Sequence, residues 1–292
     1  MQIKSINYIN FRNLKNNKLE FHPRFNLFMG KNGQGKTSIL EAIYFSITGK
    51  SFRTKHIKEL IKYDYQDAGA MINYEDRLGK KSIGIKFNGK TREYLYNKSK
   101  VKFDEFIGRV NVISFIPDDI YLILGNPSLR RTFFDYEIAQ GNEIYYKNLK
   151  DFNKILKIRN KFLKEGKSKD PLFEVYNEKF IELSVKIFSK RFEYIKKLSV
   201  LLNLNYRKLF SDKSELKIVY KSFSENIFKS EDIMKEEFIK TLDKVEKQEK
   251  YRGVSLVGPQ KDDFIFYLND KEAKAYTSQG EKKINYIFFE SR

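Results

Sequence analysis

The chain has no cysteine and only two histidines, His22 and His56, among its 292 residues. Without thiols it can form neither disulfides nor thiolate metal sites, and two histidines do not point to a histidine-based metal site. No run of about eighteen apolar residues occurs, which excludes a transmembrane helix, so no membrane partner is expected. The opening Met1-Gln2-Ile3-Lys4-Ser5-Ile6 alternates like a strand and lacks the apolar core of a signal peptide. The cytoplasm is therefore the expected compartment. Internal repeats and low-complexity segments are also missing.

Negative charge is the scarcest commodity. Asp and Glu total 38 against 57 Lys and Arg, a formal charge of +19. One reading is a polyanion partner, since lysines that neutralise phosphates gain affinity through counterion release. The other is codon bias in an AT-rich genome, which would also explain abundant Lys, Asn, Ile and Tyr. Such bias inflates Asp and Glu as well, so the net excess favours nucleic acid. With 41% hydrophobic and 33% charged residues, the composition is that of a globular chain long enough for a core domain plus a lobe.

Ile3, Ile6 and Ile9 with Tyr8 and Phe11 predict a first strand, and Leu19 with Phe21 a short strand paired to it. Phe25-Asn26-Leu27-Phe28-Met29 predicts a third, ending at Gly30. Leu40, Ile43, Tyr44 and Ile47 then recur at helical spacing until Gly49. From about residue 67 to 103 the period switches to two. Ile83, Ile85 and Phe87 precede the hairpin signal Asn88-Gly89, and Tyr94-Leu95-Tyr96 follow it, which predicts an antiparallel sheet. Val110 to Phe115 reads as a further strand. Residues 118 to 250 read as helical, with few glycines. Phe180, Ile187, Tyr194 and Leu201 recur every seven residues, but Lys190 and Arg191 interrupt the seam, so a compact lobe is expected rather than a long coiled-coil arm. Near the end Phe264, Phe266 and Leu268 alternate, Asn269-Asp270 turn, and Ala273 and Ala275 lead back.

Gly30-Lys31-Asn32-Gly33-Gln34-Gly35-Lys36-Thr37 fits G-x-x-x-x-G-K-[ST] at every fixed position, between an apolar run and a helix. Glycines let backbone N–H groups curl around phosphate oxygens, and the helix offers its positive end to the same anion. Lys36 is expected to reach the β- and γ-phosphates, and the Thr37 hydroxyl to ligate magnesium. No N-K-x-D guanine-reading segment occurs, so ATP is the expected nucleotide.

The inner loop and Phe11-Arg12-Asn13 resemble the corresponding segments of the RecF, SMC and RecN-like ATPases. Further blocks resemble the RecF family in particular, in its order. They are Thr48-Gly49-Lys50-Ser51-Phe52-Arg53-Thr54, then Phe115-Ile116-Pro117-Asp118-Asp119-Ile120, then Gly125 to Asp135 around Arg130-Arg131. Gly258-Pro259-Gln260-Lys261-Asp262-Asp263 resembles G-P-H-R-D-D, with Gln260 and Lys261 replacing the family's histidine and arginine. Ser278-Gln279-Gly280-Glu281 resembles the S-Q-G-Q signature of ABC-type heads.

The resemblance implies an α/β fold, a P-loop ABC-type ATPase head with an antiparallel β subregion and an inserted helical lobe. It divides the chain into an N-terminal part of the head (1–120), a helical lobe (121–250) and a return to the head with the signature (251–292). It also implies an ATP-dependent homodimer in which Ser278, Gln279 and Gly280 of one copy meet the nucleotide held by the other copy's Lys36. The implied partners are DNA, both single-stranded and at ssDNA–dsDNA junctions, together with RecO and RecR. A lysine-rich stretch, Lys154 to Lys169 with Arg159, reads equally as a phosphate-tracking strip or a solvated face.

The family pattern also requires an apolar strand ending in Asp-Asp or Asp-Glu after the signature helix, to organise magnesium and water. Only twelve residues follow Gly280, and Tyr286-Ile287-Phe288-Phe289-Glu290 comes too soon to serve. The expectation is a truncated head that binds nucleotide without turnover, the alternative to a working ATPase being a non-catalytic DNA-binding remnant.

Overall fold

The computed structural model describes residues 1–209, 215–224 and 230–276. The chain divides into two compact units, Met1–Ser114 and a second that begins at Phe115. Among the described residues no helix is long and apolar enough to cross a membrane.

The first unit is a six-stranded, wholly antiparallel sheet in the order β2-β1-β3-β4-β5-β6. Its strands are β1 (Gln2–Ile9), β2 (Asn17–Glu20), β3 (Asp67–Asp76), β4 (Gly79–Asn88), β5 (Arg92–Tyr96) and β6 (Ser99–Val101). Period-two alternation places Ile6 and Tyr8, then Ala68, Ala70, Ile72 and Tyr74, then Ile83, Ile85 and Phe87 on one face. All are buried. Helix α1 (Lys36–Thr48) covers that face, with Phe45 4.8 Å from Phe87 and 6.0 Å from Phe11, ring centre to ring centre. The hairpin predicted at Asn88-Gly89 is present, and so is the pairing of the first two strands.

Two sequence expectations fail here, while the helix predicted up to Gly49 is present as α1. Residues 25–29 form no strand, and Phe25, Leu27 and Met29 stand 72%, 66% and 81% exposed. An apolar run becomes a strand only where a partner pairs with it, and none does among the described residues. Val110 to Phe115 likewise forms no strand, with Val110 buried and Phe115 exposed. The buried face of α1 runs through Glu41, Ala42, Phe45 and Ser46, while Leu40 is exposed. Ile47 is buried with them, and Ile39 and Ile43 pack against the same core.

The second unit is mostly helical. After the short α2 (Phe103–Phe106) of the first unit come α3 (Tyr121–Leu124), α4 (Pro127–Gly141), α5 (Glu143–Lys164), α6 (Pro171–Leu209) and α7 (Glu231–Arg252). Asn126, Asn142 and Ser230 cap α4, α5 and α7, each accepting a bond from a backbone N–H in the first turn. The sequence missed β7 (Leu216–Lys221), which interrupts the helical stretch and pairs antiparallel with β8 (Asp263–Leu268). β9 (Lys271–Glu272) completes this second sheet after the Asn269-Asp270 turn. Helix α6 is 39 residues long yet is no free arm, because α5, α7 and β7 pack along it. Its Phe180 and Phe188 meet Phe238 of α7 at 5.9 and 5.2 Å.

The residue that breaks the heptad, Arg191, is the key to this unit. It is fully buried and donates to both carboxylate oxygens of Asp135 (2.8 and 2.9 Å), to Asp262 (2.8 Å) and to the Pro259 carbonyl (2.7 Å). The Tyr145 hydroxyl donates to Asp135, and the Tyr220 and Ser222 hydroxyls donate to Asp262. Burial pushes both tyrosines well above their ordinary pKa, keeping them neutral donors. Arg130 binds Asp263 bidentately at 2.7 and 2.8 Å, and Arg131 donates to the Asp262 carbonyl. Two sequence blocks, Gly125–Asp135 and Gly258–Asp263, are thus brought onto one ionic network.

Replacing Arg191 with leucine would strand two carboxylates in the interior. We expect a loss of about 3–5 kcal/mol, read as a lower denaturant midpoint. Arg191→Lys should recover little, because an ammonium cannot hold two carboxylates in a planar fork. A midpoint unchanged in Arg191→Leu would contradict this account.

Candidate phosphate-binding site

The loop between Gly30 and α1 is shaped by three glycines in left-handed or related conformations: Gly30 (φ 145), Gly33 (φ 80) and Gly35 (φ 90). Gly35 has a second reason to lack a side chain. A Cβ there would lie 2.6 Å from Leu14 Cδ2, inside van der Waals contact. Gly35 also occupies the cap position of α1, and no side chain accepts from the first-turn amides. Those N–H groups and the positive end of the helix therefore remain available to an anion.

Lys36 arches across the loop, and its Nζ donates to the Gly30 and Lys31 carbonyls at 2.7 Å each. Asn13 braces the loop from outside, donating to the Gly33 carbonyl (2.9 Å) and accepting from Ser38 Oγ (3.2 Å). The Lys31 amide donates to Gln34 Oε1 at 3.1 Å. A cavity of about 810 Å³ opens over this loop, lined by Asn32 to Ser38 on one side and Ile61 to Asp64 on the other. That volume suits a nucleotide-sized ligand.

A second layer fixes the first. Arg12, in a left-handed conformation (φ 53), forks onto the buried Glu41 of α1 at 3.0 and 2.7 Å and donates to the Glu59 carbonyl at 2.7 Å. Ser51 donates to the same carboxylate at 2.5 Å, and Arg53 reaches it at 3.4 Å. Glu41 therefore gathers three residues from the Phe11-Arg12-Asn13 and Ser51-Phe52-Arg53 blocks behind the helix. The sequence did carry a signal for Glu41: a lone carboxylate on the face shared with Ala42 and Phe45. The segment 61–64 was not legible, because its position depends on the bridge between Phe11 and Ile61 and on the bonds Arg12 N–H to Leu60 and Lys62 N–H to Asn10.

Of the candidate residues, Gly30, Lys31, Asn32, Gly33, Gln34, Gly35, Lys36 and Thr37 are contiguous in one loop and its helix start. Ser278, Gln279 and Gly280 lie outside the described residues. The lysine strip loses one member to the interior and has three others beside acids, while Lys157, Lys164 and Lys169 remain exposed. Arg159 is buried, bonded to Glu249 at 2.7 Å and to Ser255 at 2.6 Å, and stacked on Phe180. Lys154 lies 3.7 Å from Asp151, and Glu165 is shared by Lys161 and Lys167.

A glycine loop with a lysine that opens a helix beneath a nucleotide-sized cavity defines the P-loop class of phosphate binders. The family model described as an AAA domain matches residues 5–287. The chain is 35% identical over 289 residues to the DNA replication and repair protein RecF of Alkaliphilus oremlandii, covering 97% of this chain and 78% of that protein. Against RecF of Clostridium perfringens strain SM101 the identity is 34%, with 98% and 79% covered. The solved structure of the recombination mediator protein RecF–ATP in the RecFOR pathway superposes with a TM-score of 0.92 at 29% identity, covering 99% of this chain and 79% of that one. An SMC head domain from Pyrococcus furiosus shares the fold, with a TM-score of 0.52 at 16% identity and coverage of 99% and 78%. The chain belongs to the RecF family. Its fold is accordingly the α/β ATPase head that RecF shares with SMC proteins.

Gly35→Ala tests whether loop shape is set as described. The left-handed backbone and the Leu14 contact should together cost about 1–3 kcal/mol, visible as a lower melting temperature. Gly33, whose Cβ would meet nothing within 4 Å, carries only the backbone penalty and should cost less. Equal costs would remove the role assigned to Leu14.

Proposed function

We propose that the chain is an ATP-dependent DNA-binding protein of recombinational repair and replication, acting on single-stranded DNA and ssDNA–dsDNA junctions as a nucleotide-gated dimer. The observation that carries this reading is the Gly30–Thr37 loop, with unsatisfied helix amides and Lys36 facing an 810 Å³ cavity in a RecF-family chain. Lys36 exchanges its two carbonyl partners for phosphate oxygens, a change from neutral to charged acceptors that favours the bound state. The Asn32 to Lys36 amides cradle the phosphates, and the Thr37 hydroxyl, which lines the same cavity, is the loop's ligand for magnesium. Magnesium, when bound, neutralises charge on the β- and γ-phosphates.

In the dimer, Ser278, Gln279 and Gly280 of one copy close over the nucleotide of the other, so ATP joins the copies and its loss frees them. The head is then drawn from residues 1–120 and 251–292, and the helical lobe from 121–250. RecO and RecR are the protein partners in this scheme, and the cytoplasm is its compartment. A net charge of +19 supplies the non-specific attraction for DNA.

Lys36→Ala should weaken ATP binding at least about tenfold in equilibrium dialysis, since it removes a charge-assisted phosphate contact. Equal binding by the variant would remove the loop from the site. Sedimentation velocity with and without ATP reads the gating. A mass that doubles only with nucleotide supports the dimer, and a mass indifferent to ATP refutes it. Phosphate release measured on the same samples separates a turning-over ATPase from a chain that only binds.

A further inference from the structure

The first unit carries 22 Lys and Arg against 10 Asp and Glu in its 114 residues, so the smaller unit holds most of the positive excess. A quarter of it, five cations (Lys4, Arg77, Lys80, Lys81 and Lys98) against two acids (Glu75 and Asp76), lies at the end of the sheet remote from the phosphate loop. There the β3–β4 turn, Asp76-Arg77-Leu78-Gly79, and the β5–β6 turn, Asn97-Lys98, lie side by side. Asn97 locks them together, accepting from the Ser82 amide at 3.0 Å and donating its own N–H to the Ser82 carbonyl at 2.8 Å. A cavity of about 760 Å³ opens beside them, lined by Asn73, Tyr74 and Ser82, by one acid, Glu75, and by Lys4, Lys80, Lys81 and Lys98.

The acids at this end are already occupied. Glu75 is bound by Lys4 at 2.9 Å and Asp76 by Lys81 at 2.7 Å. Arg77, Lys80 and Lys98 are exposed; Lys80 stands opposite Glu75 across the β3–β4 pair and helps lower its pKa, while Arg77 and Lys98 make no salt bridge among the described residues. Lys98 is also held at φ 67, in a two-residue turn whose second position normally takes glycine. A lysine there costs local stability, a strained position of the kind that gathers at functional sites.

We propose that this paired-turn surface is the chain's DNA-backbone docking site, with Lys80, Lys98 and Arg77 as the phosphate contacts. The proposal rests on the DNA-binding reading above and assigns it a place. Open, mobile ammonium groups around a polar floor suit repeating phosphates read without base specificity. Leu78, 85% exposed at the turn tip, adds one apolar contact, too little to anchor the protein in a lipid surface. The α5 strip is the weaker site because its arginine is buried and three of its lysines have acidic neighbours.

The test is the salt dependence of binding to a labelled gapped duplex, by fluorescence anisotropy on the full chain. Lys80→Gln/Lys98→Gln should lower the slope of log K against log salt by about 2 and weaken binding roughly tenfold or more at low salt. Lys154→Gln/Lys157→Gln removes the same charge from α5 and should leave the slope unchanged. Lys98→Gly separates docking from folding, because it should lower the slope by about 1 while keeping or raising the melting temperature. Equal slope changes from both glutamine pairs, or an unchanged slope in Lys80→Gln/Lys98→Gln with normal wild-type binding, would overturn this site alone. Failure of the wild type to bind DNA would overturn the functional reading as well. Phosphatidylglycerol vesicles form the last arm: binding to them that needs Lys80 and Lys98, beside DNA binding that does not, would reassign the surface to lipid.

Discussion

A guanidinium removed from water must be met by carboxylates, and such encounters hold this chain in register. Arg12 with Glu41, Arg159 with Glu249, and Arg191 with Asp135 and Asp262 each join segments distant in sequence. Such pairs give little net stability over apolar packing, but a mispaired alternative would leave a charge buried alone, at a cost of several kcal/mol. Their value lies in excluding other arrangements. In the first unit, Arg12 and Glu41 set α1 against the segment 59–61, and so set the phosphate loop against the far wall of its cavity. In the second, Arg191 sets α6 against the start of β8.

These cations also show why the fold was only partly legible. The phosphate loop and the Asn88-Gly89 hairpin are local: each is dictated by residues within a few positions of one another. The fate of Phe25–Met29 and Val110–Phe115 depended on strands elsewhere, which no local pattern reveals. Arg191 read as an interruption of a hydrophobic seam, and Arg159 as one member of a basic strip. Each proved to be interior, because the carboxylates that admit it lie 56 to 90 positions away. What the sequence did hold was the two blocks themselves: Arg130-Arg131 and Asp262-Asp263 both appeared as motifs, and the structure joins them directly.

Internal pairing also sorts the surplus of positive charge. A lysine beside a carboxylate contributes little to a distant phosphate, whereas one without such a neighbour contributes nearly its full counterion release. The formal charge of +19 therefore overstates what a polyanion meets at any one place. On α5 the acids Asp151 and Glu165 lie among the lysines. At the β3–β4 and β5–β6 turns Glu75 and Asp76 are held by Lys4 and Lys81, Lys80 stands opposite Glu75, and Arg77 and Lys98 face solvent.

This arrangement puts the phosphate loop and the proposed DNA surface at opposite ends of the same strands. Eight residues of β1 span roughly 26 Å at the usual rise. One end begins beside Lys4, and the other leads through Asn10 and Arg12 to Asn13, which bonds the loop at Gly33. An antiparallel sheet with a buried face does not stretch or slip by small amounts, since a one-residue slip would turn every core side chain outward. If nucleotide closes two such units as proposed, the movement would cross this unit as rigid-body displacement rather than as distortion within it. If two such units are joined by ATP, the distance between their paired-turn surfaces is fixed by the nucleotide state. DNA that bridges both surfaces must then favour the joined state by the same factor that ATP favours DNA, as linkage requires.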